Sequence, residues 1–375
     1  MEFITNIWDG TWNYVIPFLF VLTVLVFFHE LGHYWVARRN GVRVEVFSIG
    51  FGPEIYGFND KHGTRWRFSA IPLGGYVKMF GENFAQDEPE EELTDEEKEV
   101  SFFHKRLGQR AAIVAAGPAA NYLLTIVLWT GLFAFAGSPI LLAGIGNVQP
   151  DSAAMAAKLK PGDQVVAIND QKVTSFDDLR AVVSKNPGVK LNFSILRDGN
   201  PIHLSATPKA QTVSEKDGIK REIGLLGVSP DLKQIKYEPQ NPFMAAWMAT
   251  KRAIDYTGLI LKYLGEMLTG QRTAEELGGP LRIAQMSGEV AQGGWINLIN
   301  FMAVLSLNLG LINLFPIPVL DGGHLVMYGA EAVRGRPLSL KVQEYSFRVG
   351  FILVMFLIVF ATWNDLVNHL KVIEF

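Results

Sequence analysis

The chain is constrained above all by Phe27-Phe28-His29-Glu30-Leu31-Gly32-His33, a His-Glu-x-x-His motif near the end of an apolar run of membrane-crossing length. On a helix, His29 and His33 lie one above the other on a single face, so two imidazoles can share one tetrahedral ion. Glu30 is the neighbour able to hold a water beside that ion. From Gly10 up to the arginines at 38 and 39, Glu30 is the only formal charge. An unpaired carboxylate in hydrocarbon costs about 3 kcal/mol on insertion scales, and a bound cation offsets that cost directly. The bland alternative, two histidines on a soluble core helix, leaves the apolar context without a cause.

Composition agrees with a membrane class: 375 residues allow two or three domains, 49% of them are hydrophobic, and the mean hydropathy is +0.18. A net charge of -3 without a long basic tract sets nucleic acid aside as a partner. There is no cysteine, which excludes disulfide scaffolds, thiol nucleophiles and thiolate metal sites. Any chemistry must come from His, Asp, Glu and backbone.

Residues 1–9 hold no Lys or Arg and no small-residue cleavage site follows, so the first apolar run reads as a retained transmembrane helix rather than a signal peptide. Arg38-Arg39 mark its cytoplasmic end, which puts the N-terminus outside and His33 about 7 Å of helix from the inner face. Residues 41–80 alternate between Gly and Pro punctuation, predicting short strands and a small β-hairpin region. A spare sheet edge there could pair with an extended substrate. The acidic stretch 82–99 is expected to be a solvated loop, with no function assigned to it. No charge occurs from Ala111 to Pro150, enough for a second transmembrane helix near 111–136, which starts beside Lys105, Arg106 and Arg110 and so is expected to have that end in the cytoplasm. Within it Gly117-Pro118-Ala119-Ala120-Asn121 offers small residues for close helix approach and one polar group, either an interhelical hydrogen bond or a neighbour of the metal site.

Residues 144–230 change character: strands at 144–148 and 164–169, a turn at Leu159-Lys160-Pro161-Gly162-Asp163, and a Ser175/Asp178 capping box opening a helix through Val183. Leu191, Phe193 and Ile195 alternate into Arg197-Asp198-Gly199, a hairpin signal. This α+β module, and above all Leu-Lys-Pro-Gly-Asp followed by Val-Val-Ala-Ile-Asn, resembles a PDZ domain of the bacterial protease type. The resemblance implies a loop that captures a peptide end, for which Ile223-Gly224-Leu225-Leu226-Gly227 is the candidate, with Ile223, Gly224 and Leu225 as its peptide-binding residues. Glycines that merely make a turn are the alternative.

Residues 242–268 mix apolar and charged positions as a membrane-surface amphipathic helix does. Gly278-Gly279-Pro280 breaks the chain, and Trp295 to Phe315 reads as a third membrane helix carrying Asn308 and Asn313 and ended by Pro316 and Pro318. Asp321 stands where that helix gives way to irregular backbone, which is tolerated at membrane depth only against protein or a cavity. Val349 to Asn364 forms a fourth, short span. The expected division is 1–143, 144–230, 231–294 and 295–375.

Taken together, His29-Glu30-x-x-His33, Gly117-Pro118 with Asn121, one PDZ-like insert, and Asn313-x-x-Pro316-x-Pro318-x-Leu320-Asp321-Gly322 resemble the site-2 protease family of intramembrane zinc metalloproteases, in particular its bacterial branch of regulator-of-sigma-E type. That resemblance covers nearly the whole chain. It implies a multi-pass α-helical membrane protein with four transmembrane helices in the bacterial inner membrane, the PDZ-like domain lying on the periplasmic side. It further implies zinc on His29, His33 and Asp321, Glu30 as catalytic base, and Asn313, with Asn308, as substrate-positioning groups. Substrates would be single-pass membrane proteins of the anti-sigma-factor type and remnant signal peptides. Enteric members carry two tandem PDZ domains, whereas this chain has one. His324, three residues beyond Asp321, is expected beside the site rather than on the ion.

Two neutral imidazoles and one carboxylate leave a fourth position for water, as hydrolytic zinc chemistry requires. A membrane metal transporter would show polar groups at several depths rather than one cluster with a glutamate beside it. A non-catalytic PDZ scaffold would need no intact motif. The site is expected to open toward the cytoplasm, with the external module restraining access to it.

Overall fold

The structure, a computed structural model, describes residues 11–82, 93–214, 220–273 and 278–373. The chain divides into two compact units, Met1–Leu132 with Pro242–Phe375, and Phe133–Asn241.

In the first unit, helix α1 (Ile16–Arg39) follows a widened turn at Thr11–Val15 and has proline in its opening turn, where the missing N–H is no loss. It ends on Arg38 and Arg39, whose charges favour a helix C-terminus. Strands β1 (Val44–Asn59) and β2 (Arg65–Met79) fold back on themselves. Phe47 pairs with both Val77 and Trp66, and Phe58 pairs with Trp66 from the other side. Four antiparallel segments result, in the order 54–59, 65–69, 44–49, 75–79, and segment 75–79 forms one edge. The root of this sheet is buried against the helices through Phe47, Val77 and Met79 together with Ala37, Ile113 and Val114. Its far end exposes Phe51, Ile55, Tyr56, Ile71 and Leu73.

Of the acidic stretch, 83–92 lie outside the described residues, and Asp95–Val100 form a short helix α2 opened by a Thr94/Glu97 capping box. Helix α3 (Leu107–Gly131) crosses α1 at very close range: a Cβ on Gly32 would lie 2.3 Å from the Ala116 carbonyl oxygen and 2.7 Å from Ala120 Cβ. The small residues therefore serve close approach, as their pattern suggested.

The second unit begins earlier and ends later than 144–230. Strand β3 (Ser138–Leu141) pairs antiparallel with the unit's last strand, β12 (Ile235–Glu238), a stem with too little alternation to show in sequence. Inside it β4 (Ile145–Val148) pairs with β11 (Val228–Pro230). The main sheet runs β6 (Gln171–Lys172), β5 (Gln164–Ile168), β7 (Leu191–Arg197), β8 (Asn200–Ala206). Asp198 and Gly199, with φ of 50° and 80°, make the two-residue turn between β7 and β8 that their sequence announced. Helices α4 (Ala153–Ala156) and α5 (Phe176–Ser184) cover a core of Ile145, Leu179, Phe193 and Ile195, and α5 is opened by the Ser175/Asp178 box. Strands β9 (Lys209–Ser214) and β10 (Lys220–Leu225) form a separate antiparallel pair.

Back in the first unit, α6 (Pro242–Leu268) carries Ala245, Ala249 and Ala253 as a buried face and packs against α3, with Tyr122 and Thr257 joined hydroxyl to hydroxyl at 3.1 Å. The alanine face gives this amphipathic helix a protein partner. Helix α7 (Pro280–Gln292) lies in the stretch expected only as a connector, and the Asp365 carboxylate caps it by accepting from the Gly279 and Arg282 N–H groups at 2.9 and 3.0 Å. Helix α8 (Trp295–Asn313) docks on α3 through a polar ladder. Thr125 donates to the Ala303 carbonyl at 3.0 Å, Ser306 to the Asn121 carbonyl at 2.8 Å, and Trp129 to Asn300 at 3.0 Å. Such bonds fix rotation about the helix axis, and between helices in a bilayer they contribute about 0.6 kcal/mol each.

Asp321 does not end a helix; it opens one, α9 (Asp321–Arg334). The turn before it folds onto its first residues so tightly that a Cβ on Gly322 would sit 2.3 Å from the Leu314 and Phe315 carbonyl oxygens. Only glycine fits there. The last helix, α10 (Leu340–Ile373), is longer than the span read from 349–364, because its first and last turns are polar and carry no hydropathy signal. Four helical stretches are long and apolar enough to cross a membrane: Trp12–Arg39, Leu107–Ala136, Trp295–Asn313 and Lys341–Val367.

Candidate metal centre

The helical spacing of α1 sets His29 and His33 side by side, each 8% exposed, with their Nε2 atoms 3.2 Å apart. The start of α9 brings Asp321 Oδ2 to 3.2 Å from His29 Nε2 and 3.6 Å from His33 Nε2. Among the described residues these three form the one group of His, Asp and Glu side chains able to hold an ion. Gly117 of α3 makes the room: a Cβ there would lie 2.2 Å from His33 Nε2 and 2.9 Å from His29 Cε1. The other ring nitrogens are also engaged. His33 Nδ1 lies 2.9 Å from the Ile113 carbonyl oxygen, and His29 Nδ1 lies 3.1 Å from the Asn121 side-chain amide.

The three ligand atoms fit a zinc ion. Two atoms each about 2.0–2.1 Å from a tetrahedral centre stand about 3.3 Å apart, close to the separations found here. Asp321 Oδ2 is also buried and has no hydrogen-bond partner, an orphaned acceptor aimed at two imidazole nitrogens. A cation satisfies it, whereas an apolar filling would leave it at a cost of about 1–3 kcal/mol or more.

Glu30 sits one residue round the helix, its carboxylate beside the Val77 backbone of the edge segment. Both line a cavity of about 1080 Å³ that also reaches Tyr76, Asn313, His324, Tyr328 and Phe347. Asn313 therefore shares the cavity with the histidines, while Asn308, five residues back along α8, is not among the described lining residues. His324 is likewise in the wall but outside the three-residue group, its ring 5.2 Å from that of Phe347.

Of the candidate loop, Ile223, Gly224 and Leu225 lie in β10, paired with Gln211, Ala210 and Lys209, while Leu226 and Gly227 are irregular backbone just beyond it, their carbonyls accepting from the Ala154 and Gln149 N–H groups. Gly224 is required by a close approach, since a Cβ would meet the Val183 carbonyl oxygen at 2.3 Å. Two contributors escaped sequence reading. The Ile113 carbonyl has no side-chain signal at all, and Arg110, which looked like a topology marker, reaches Glu331 on α9.

Curated relatives match over nearly the whole chain. A chain of Agrobacterium fabrum, provisionally named a zinc metalloprotease, is 43% identical over 363 residues, 94% of this chain and 96% of its own length. A chain of Rhizobium meliloti with the same provisional name is 43% identical over 361 residues, 94% of this chain and 96% of its own. The metalloprotease MmpA of Caulobacter vibrioides is 36% identical over 387 residues, 96% of this chain and 97% of its own. Among solved structures, the PDZ domain of an SdrC-like protein of Listeria monocytogenes aligns with 23% of this chain and 84% of its own, at 16% identity and a TM-score of 0.18. The sequence model of peptidase family M50 matches residues 17–357, so the His-Glu-x-x-His helix, the Asp321 helix and everything between them fall within one known pattern, and the chain belongs to peptidase family M50.

Proposed function

We propose that this chain is a zinc metalloprotease that cuts peptide bonds in or near the transmembrane segments of single-pass membrane proteins. The observation that carries the reading is the orphaned Asp321 Oδ2 facing two histidine Nε2 atoms on a helix of membrane-crossing length. His29, His33 and Asp321 hold the ion. When bound, zinc supplies Lewis acidity toward the scissile carbonyl and makes a water nucleophilic near neutral pH. Glu30 orients that water and accepts its proton, then returns it to the leaving amine. The edge segment 75–79, next to Glu30, is suited to take a substrate strand by backbone pairing, which would unwind a helical substrate before the cut. Asn313 supplies a polar contact for that strand from the opposite wall.

The four long helices support a multi-pass placement in the bacterial inner membrane, with the cavity toward the cytoplasm and the second, PDZ-like unit outside. Substrates of the anti-sigma-factor type already trimmed outside the membrane, and remnant signal peptides, fit such a site, because both present one membrane segment with little outside it. The test is purification in detergent with metal analysis and a helical membrane peptide as substrate. Wild-type protein is expected to hold stoichiometric zinc and cleave; Glu30→Gln is expected to hold zinc and not cleave. Full cleavage by that variant would overturn the assignment of the base.

A further inference from the structure

We infer that Asn121 is a positioning residue that fixes His29 in the metal-binding tautomer by presenting its Oδ1 to His29 Nδ1. The inference rests on the zinc reading above and adds to it a residue outside the three ligands.

Asn121 is fully buried in α3, and its amide lies 3.1 Å from His29 Nδ1. With Nδ2 placed toward the ring, the amide donates, Nδ1 must be the bare acceptor, and the ring proton falls on Nε2. That proton would point at the same space as His33 Nε2 and Asp321 Oδ2, and Nε2 could not ligate a cation. In that orientation Asn121 Oδ1 is itself buried without a partner. Turning the amide by half a rotation exchanges the two atoms at little steric cost, since they are nearly the same size. Oδ1 then accepts from Nδ1–H, and Nε2 is free for the ion. One amide atom lacks a partner in either orientation, so the histidine decides between them.

The second histidine follows the same rule. His33 Nδ1 faces the Ile113 carbonyl, which can only accept, so its proton is fixed on Nδ1 and its Nε2 is bare. Both rings thus have an acceptor behind them, one from backbone and one from a side chain. Ligating histidines are held in this way generally, and loss of such a partner costs 10–100-fold in metal affinity. Mutating the Asn121 side chain leaves its carbonyl, which receives Thr125 and Ser306, untouched.

The experiment measures zinc dissociation constants of detergent-purified full chain by chelator competition, alongside thermal unfolding of the metal-free forms. Asn121→Leu, near in volume but without an acceptor, is expected to weaken zinc 10–100-fold. Asn121→Asp, which keeps an acceptor oxygen, is expected to bind zinc at least as tightly as wild type. If the leucine variant does not fold, Asn121→Ala takes its place. Wild-type affinity in the acceptor-less variant, or equal losses in the Asp and Leu variants, would overturn the proposal. Failure of wild type itself to bind zinc would instead overturn the metal reading on which it rests.

Discussion

Arg110 and Glu331, 221 residues apart in sequence, meet at 2.5 Å through Nη2 and Oε1 with both side chains largely buried. The guanidinium also donates from Nε to the Lys105 carbonyl and lies over the Tyr328 ring at 5.0 Å. This pair joins the first turn of α3, which floors the histidine site, to the last turn of α9, whose first residue is Asp321.

The third ligand reaches the histidines only while α9 is docked, and its outer face is exposed at Val326, Gly329 and Val333. Removing one partner of a buried pair leaves an uncompensated charge and costs about 3–5 kcal/mol. Glu331→Gln and Arg110→Met should therefore each lower zinc affinity at least tenfold. The exchange Arg110→Glu with Glu331→Arg should recover a substantial part of it, because the pair is restored. Zinc titration of the four proteins decides; no recovery in the exchanged pair would show that the contact is incidental.

In the second unit, Arg197 grips Asp163 with both ends, Nε to Oδ1 at 2.7 Å and Nη2 to Oδ2 at 2.8 Å, and the Lys160 N–H adds a third bond. Burial alone would raise the Asp163 carboxyl; Arg197 and the Lys160 amide outweigh it and hold it below the usual range. A lowered folded-state value means that the pair's stabilisation is complete above the unfolded carboxylate range near 3.9 and is lost as pH falls through the folded value. Limited proteolysis of this unit should thus accelerate below about pH 4 in wild type. Asp163→Asn should be cut faster at neutral pH and show a weaker acid dependence. Identical pH profiles for the two would remove the pair from the account.

The parts of the site that were legible in sequence are those fixed by local geometry. His29 and His33 need only a helix to meet, and the small residues around Gly117 need only a helix crossing. Asp321 was legible as a residue but not as a helix start, because Gly322 and Gly323 look like a break until the preceding turn is seen packed against them. Gly224 misled for the opposite reason. Its glycine signals contact with the Val183 carbonyl across the fold rather than a loop, and strand and loop glycines look alike in a single sequence. Arg110 read as one more inner-face charge because its partner lies beyond the inserted unit.

In the multi-pass placement proposed above, the Arg110–Glu331 contact requires the start of α3 and the end of α9 to lie on the same membrane side. Arg38, Arg39, Lys105 and Arg106 flank one loop and Arg334, Arg336 and Lys341 the other, so both should be cytoplasmic. Lys172 and Arg336 are exposed and tolerate a probe. In intact cells, an impermeant thiol reagent should label cysteine at Lys172 and at the C-terminus and miss cysteine at Arg336. The reverse pattern would invert the orientation.

The second unit closes on itself at β3 and β12, where Ser138 pairs with Glu238 and Pro139 with Tyr237. Paired antiparallel residues stand about 5 Å apart, so a short glycine-serine linker can replace 139–237 without pulling the flanking chain out of place. The unit contributes no ligand: its one histidine, His203, is held by Ser194 at 3.1 Å, and the ion-binding group lies wholly in the first unit. Its deletion should leave zinc affinity unchanged. If the unit acts as a steric filter outside the membrane, the shortened protein should also cleave substrates that still carry a bulky external domain, which the full chain should reject. Zinc content and cleavage are read together on one trimmed and one untrimmed substrate. A zinc-loaded deletion protein that fails on the trimmed substrate would make the unit a delivery site and exclude the filter.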